Sequence, residues 1–191
     1  MQKDYYLDLP TFIHQRKLYM LILLIASLAG TAYAVTIRDN STLLFTINQY
    51  LTTPNIDLQL LEVFKNSILT YTISGFLIFV GGLNRNLLPI SIISFFYTTF
   101  SYSFTFTCFM LLYGVKGIII GLLMIGIQGT MIVVTYLELG YQGLKHCIYY
   151  QTKGIKHYSE ICSKAVIMIC LISLLDTIVQ PLIRILVSNI L

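Results

Sequence analysis

Asp176 is the residue of this chain best able to do chemistry and hardest to place. It is an acid twelve positions into the nineteen-residue apolar run 165–183. A carboxylate near the centre of a bilayer costs ~2.5–3.5 kcal/mol on insertion scales, so it demands a partner or a polar interior. Gln128, eleven residues into an apolar run of its own, can offer an amide hydrogen, and Gln180 stands one helical turn from the acid. Two roles fit these residues: a proton or substrate relay, or an interhelical hydrogen bond that holds a bundle in register. No second buried acid, Lys or His accompanies Asp176 in its run, which favours the hydrogen bond. Pro181 removes the N–H that would serve the Thr177 carbonyl, and so ends or bends the helix there.

The other chemically capable residues do not assemble into a centre by spacing. His146 and Cys147 are adjacent, so on a helix they point in different directions, and no Asp, Glu or second His lies at ligand spacing. The four cysteines, Cys108, Cys147, Cys162 and Cys170, show no CxxC pair and sit in or beside apolar runs, where a thiol behaves as a small hydrophobe. We therefore expect no catalytic residue, no metal and no cofactor.

The elements that must position Asp176 and Gln128 are membrane helices. Of 191 residues, 57% are hydrophobic and 10% charged, against about 25% charged in soluble domains. A hydrocarbon core of about 30 Å needs about 20 helical residues, and five runs near 18–37, 67–83, 87–112, 118–138 and 165–183 approach that length. The expected fold is all-α: a polytopic bundle of five transmembrane helices with short amphipathic interfacial helices, forming one membrane domain over 1–191. The segment 100–107, FSYSFTFT, alternates like a barrel strand, but the remaining runs are continuous and of helix length. Nothing in the charge pattern marks a nucleic-acid partner, because the basic residues lie beside apolar spans and meet headgroups there.

The third and fourth runs form a hairpin reversed at residues 113–117. Ser91, Ser94, Thr98, Ser101 and Thr105 recur at three-then-four spacing in one stripe, and Gly117, Gly121, Gly126 and Gly129 mark the second arm. Small residues let helix backbones approach in lipid, so this hairpin is built to be packed against. The first run follows His14-Gln15-Arg16-Lys17; Ala32-Tyr33-Ala34 imitates a signal-peptide cleavage site, but apolar character continues through Val35 and Ile37, favouring a retained helix. Between residues 39 and 66, Leu60, Leu61 and Phe64 oppose Gln59, Glu62 and Lys65, the pattern of an amphipathic helix lying at the surface. Pro89 falls in the first turn of its helix, where a missing N–H costs least.

Residues 139–164 form a basic, tyrosine-rich segment carrying Lys145, Lys153 and Lys156, suited to contact anionic lipid or a cytoplasmic partner. Five spans put the termini on opposite sides. With the N-terminus inside, eight Lys and Arg residues are cytoplasmic and four are outside, which sets the N-terminus inside and the C-terminus outside.

From Phe96 to Gln128, and again from Ser173 to Pro181, the chain resembles the stage II sporulation protein M family of bacterial membrane proteins. The resemblance is carried by Phe96, the small Ser103 and Thr107, the turn Gly114-Val115-Lys116-Gly117, Gln128, and the acid-to-proline interval of Asp176 and Pro181; Phe64 and Ser67 fit the approach to the second helix. Thr98-Thr99 stand where the family has Lys-Gly, Ile127 where it has proline, and Gly129 follows the glutamine. The resemblance implies a non-enzymatic multi-pass protein of the bacterial cytoplasmic membrane that works through partners.

Two functions are then expected. One is a permease-like or immunity subunit for peptide or bacteriocin export, partnering a transport ATPase and able to self-associate. The alternative is a membrane scaffold recruiting peptidoglycan-remodelling enzymes in sporulation engulfment, with residues 39–66 as its external docking surface.

Overall fold

A computed structural model describes residues 16–38, 45–46, 48–49, 60–149 and 155–190. Helix α1 spans Lys17–Thr36, α2 Leu60–Gly81 and α3 Leu88–Tyr113. The short α4, Val115–Gly121, runs through a π turn, Leu122–Gly126, into α5, Ile127–Tyr149, so these three pieces make one rod. Helix α6 covers Ile155–Ile190. Five of these helical rods are long and apolar enough to cross a membrane. The chain is an all-α, multi-pass helical bundle.

Local sequence explains the turns. Gly81 and Gly82 end α2, and the Asn84 side chain accepts from the Asn86 N–H at 3.3 Å to start a single 3₁₀ turn, Arg85–Leu87. Pro89 sits in the first turn of α3, as its ring requires. At the hairpin one residue suffices: Gly114 has φ +58°, a left-handed conformation that favours glycine, and the chain reverses between Tyr113 and Val115. A side chain at Gly117 would run into the Phe109 carbonyl of the opposite arm, and one at Gly121 would meet the Phe106 ring at 2.6 Å.

Helix α1 lies along α3; α2 packs on α3, α5 and α6; α5 and α6 pair with each other. Gly30 admits α3 to α1, a Cβ there lying 2.6 Å from the Phe100 carbonyl oxygen. Ser103 donates to the Ser27 carbonyl at 2.8 Å across the same interface. The main core gathers Tyr19, Phe95, Ile132, Tyr136, Tyr158 and Ile172; a small second cluster, Phe109, Ile120 and Met124, fills the hairpin. The outside is apolar: Leu21, Leu24 and Leu28 on α1, Ile93 and Tyr97 on α3, and Ile167 and Ile178 on α6 are all exposed. An apolar exterior around a partly polar interior is the arrangement a bilayer selects.

Three boundaries differ from the sequence reading. Residues 60–66 are the first turns of α2 and continuous with the span, not a separate surface helix from Leu60 onward. The remainder of the 39–59 stretch lies outside the described residues, apart from 45–46 and 48–49. The basic segment 139–164 is largely helical, since α5 runs to Tyr149 and α6 begins at Ile155. Pro181 does not end its helix, which continues to Ile190.

Candidate functional site

Helices α2, α5 and α6 meet at Gly75, where a Cβ would stand 2.9 Å from Ile169 Cδ1 and 3.4 Å from Tyr136 Cε1. Two turns along each helix from that contact, about 10–12 Å toward the hairpin, lie Ser67 on α2, Gln128 on α5 and Asp176 on α6. A spacing of seven residues returns Asp176 to within about 20° of the face that makes the contact, and a spacing of eight leaves Ser67 and Gln128 about 80° round their helices from it. The geometry agrees with this reckoning: Ser67 Oγ donates to Asp176 Oδ2 at 2.5 Å.

Asp176, 2% exposed, accepts two more hydrogen bonds, from the Tyr71 hydroxyl at 3.2 Å and from Gln180 Nε2 at 2.8 Å. All three partners are neutral. Tyr71 extends the polar path, since its backbone carbonyl accepts from the Tyr136 hydroxyl at 2.6 Å and its phenol interacts with that of Tyr102. One turn nearer the basic end, Ser94 donates to the Ser74 carbonyl at 3.1 Å. The acid thus ties α2 to α6, and its neighbours tie α2 to α3 and α5.

Gln180 partners Asp176 as its spacing predicts. Gln128 does not: it is buried, 4% exposed, and neither its amide nitrogen nor its amide oxygen has a hydrogen-bond partner. The donors to the carboxylate are instead the Ser67 and Tyr71 hydroxyls on α2 and the Gln180 amide on α6 itself. Thr99 likewise has a buried polar atom, its hydroxyl, without a partner. It borders a crevice of about 430 Å³ between α1, α3 and α5, lined also by Tyr102, Phe106, Gly126 and Gly129 beside the π turn. A π turn displaces the helical hydrogen-bond ladder and often marks a functional position.

The small-residue stripe divides. Ser91 pairs with the Tyr19 hydroxyl at 2.9 Å and Ser94 crosses to α2, whereas Thr98 and Thr105 bond back to Ser94 and Ser101 in their own helix. Lys145 is exposed; Lys153 lies outside the described residues, as does the side chain of Lys156. Sequence reasoning missed Tyr71 and Tyr102. Their signal was faint: Ser67 and Tyr71 are four residues apart on a run whose polar positions look incidental.

Comparison with family models, curated proteins and solved structures finds no match for this chain.

Its other capable side chains close the fold. His146 Nδ1 and Cys147 Sγ both reach the Gly82 carbonyl, at 3.3 and 2.9 Å, serving an acceptor left at the end of α2. His146 also stacks on Tyr158, with ring centroids 5.2 Å apart. Among the described residues no three His, Cys, Asp or Glu side chains gather as a metal group would require. Arg16 forms an ion pair with Glu138 at 2.6 Å and lies over the Tyr141 ring.

Proposed function

We propose that this chain is a non-enzymatic membrane subunit of the stage II sporulation protein M type, permease-like or conferring immunity, that docks a transport ATPase in peptide or bacteriocin export. The observation that supports it is the gathering of basic residues at one end of the bundle. Tyr19 meets Gly140, and Gly82 meets Gly143 and Tyr158, so the start of α1, the end of α2, the end of α5 and the start of α6 share that end. Lys17, Arg85, Lys145 and Lys164 are exposed there. The excess of positive charge makes this the cytoplasmic end of a protein of the bacterial cytoplasmic membrane, with the N-terminus inside and the C-terminus outside. An anionic surface, lipid or protein, complements it.

Asp176 in this proposal is a structural hydrogen-bond node, not a relay. Purification of the tagged protein from its host in mild detergent, with mass spectrometry of what accompanies it, tests the assignment. A cytoplasmic ATPase that is retained by the wild type and lost by a Lys145→Gln, Lys153→Gln, Lys156→Gln triple variant supports it. A wall hydrolase retained by that variant would instead establish the scaffold role and move the docking surface to residues 39–66.

A further inference from the structure

We propose that the level defined by Ser67, Gln128 and Asp176 binds one monovalent alkali cation. Three independent features converge there. Asp176 is buried at the meeting of α2 and α6, and its three hydrogen-bond partners, Ser67, Tyr71 and Gln180, carry no charge. A carboxylate so held has no counter-charge among its partners inside the bilayer, where acids are ordinarily paired.

Gln128 stands at the same depth on α5, eight residues from Tyr136 as Ser67 is eight from Gly75. It is 96% buried, its 4% exposure leaving both amide atoms out of reach of solvent, and neither has a protein partner. A buried amide without partners is costly, so its side chain is poised for a ligand with which it can bond. Pro181 supplies the third feature. It lies inside α6 and has no N–H, so the carbonyl of Thr177, next to Asp176, lacks its helical donor. In transporters with broken helices, backbone carbonyls freed from helical hydrogen bonds coordinate cations, and the Thr177 carbonyl is likewise left without its donor.

The ligand's chemistry follows from the donor set. Carboxylate, amide and hydroxyl oxygens with no thiol or imidazole suit a hard ion. A single carboxylate balances a single positive charge; a divalent ion would leave the interior with a net charge of its own. This site stands apart from the basic docking end and does not depend on the partner assigned there.

The decisive experiment uses the full-length protein in mild detergent, with NaCl and KCl as probes and choline chloride at equal ionic strength as the control. Binding is read with radioactive sodium or rubidium and stability by thermal unfolding. Saturable uptake approaching one ion per chain is expected, with a melting temperature that climbs with Na⁺ or K⁺ and not with choline. Asp176→Asn should abolish the saturable uptake and the cation-dependent rise, and Gln128→Leu should weaken both. Uptake that does not saturate in the wild type, together with equal melting in choline, would overturn the proposal and leave water as the partner of Gln128. Uptake retained by Asp176→Asn would overturn it too. If that variant does not fold, the wild-type cation titration decides alone.

Discussion

At the end where α2 finishes and α6 begins, helices touch backbone to backbone and polar groups answer one another. Gly82 abuts Gly143 and Tyr158, Tyr19 fills the space over Gly140, and Gly81 sits against Ser91. Tyr19 bonds Ser91, Tyr158 bonds the Phe79 carbonyl, and Glu138 holds both Arg16 and Gln142. The half toward the hairpin is different. It has a core cluster of three buried residues, a crevice beside a π turn, an acid with only neutral partners, and the unpaired polar groups of Thr99 and Gln128. One half is closed by fit, and the other keeps groups in reserve. Unsatisfied buried groups are where binding is found in folded proteins, so ligand chemistry belongs to the hairpin half and anchoring to the basic end.

The largest expected effect tests the closed end. A Cβ at Gly82 would lie 2.0 Å from the Tyr158 hydroxyl and 2.6 Å from the Gly143 Cα, which is backbone and cannot swing away. Gly82→Val should therefore destabilise by about 3 kcal/mol, the upper range for forcing volume into a filled site, read as a lowered midpoint in detergent-titrated unfolding. Gly126→Ala, whose nearest side-chain atom would be 3.6 Å away, should change stability by less than ~1 kcal/mol, with alanine favoured by its helix propensity. Equal losses in the two variants would erase the distinction between the halves.

Next in size is the acid. Asp176→Leu removes the acceptor of three donors and should cost about 2 kcal/mol, given ~0.6 kcal/mol for an average hydrogen bond between membrane helices and the added penalty of orphaned hydroxyls. Asp176→Asn keeps an acceptor of the same shape and should lose less than half as much in the same unfolding assay. A relay would reverse the order for activity: Asn would then abolish function while leaving the fold intact.

Thr99→Val should have the opposite sign. The hydroxyl is buried without a partner, and valine has nearly its shape, so stability should rise by up to ~1 kcal/mol. A loss instead would mean that Thr99 holds a partner in the membrane, and would count the crevice among the occupied parts of the interior.

Much of this was legible from the amino acids. The five spans follow from apolar length alone, because a bilayer imposes that length whatever the packing. Asp176 was legible as a residue needing partners, and Gln180 as one of them, since a four-residue spacing on a helix fixes neighbours. The partners on α2 were not legible. Periodicity gives the face of a helix but not which helix lies against it, so Gln128 and the pair Ser67 and Tyr71 were equivalent until the bundle placed α2 first. Helix ends were overruled for another reason. Gly140 and Gly143 weaken a helix by about 1 kcal/mol each relative to alanine, and the apolar run stops near residue 138, so nothing in the sequence extends the helix through 139–149. In the bundle those glycines are the surfaces on which Tyr19 and Gly82 rest, and tertiary contact offsets the local penalty.

The smallest effect is the sharpest test of how the basic end is held. Arg16 forms an ion pair there, with its guanidinium 2.6 and 2.9 Å from Glu138 Oε2. Its side chain is 11% exposed and that of Glu138 37%, so water screens the acid and the pair belongs near the surface class, worth about 0.5–1 kcal/mol. A double-mutant cycle with Arg16→Met and Glu138→Gln should return a coupling in that range, shrinking as salt is raised. The two contacts around it, Tyr141 under the guanidinium and Gln142 on the other carboxylate oxygen, add to each single variant but cancel in the cycle to the extent that they are independent. A coupling above ~2 kcal/mol would mean that charge, not glycine fit, closes this end. Gly82→Val and the Arg16 variants would then fail by the same route, and the basic residues could not be surrendered to a docking partner without loosening the fold.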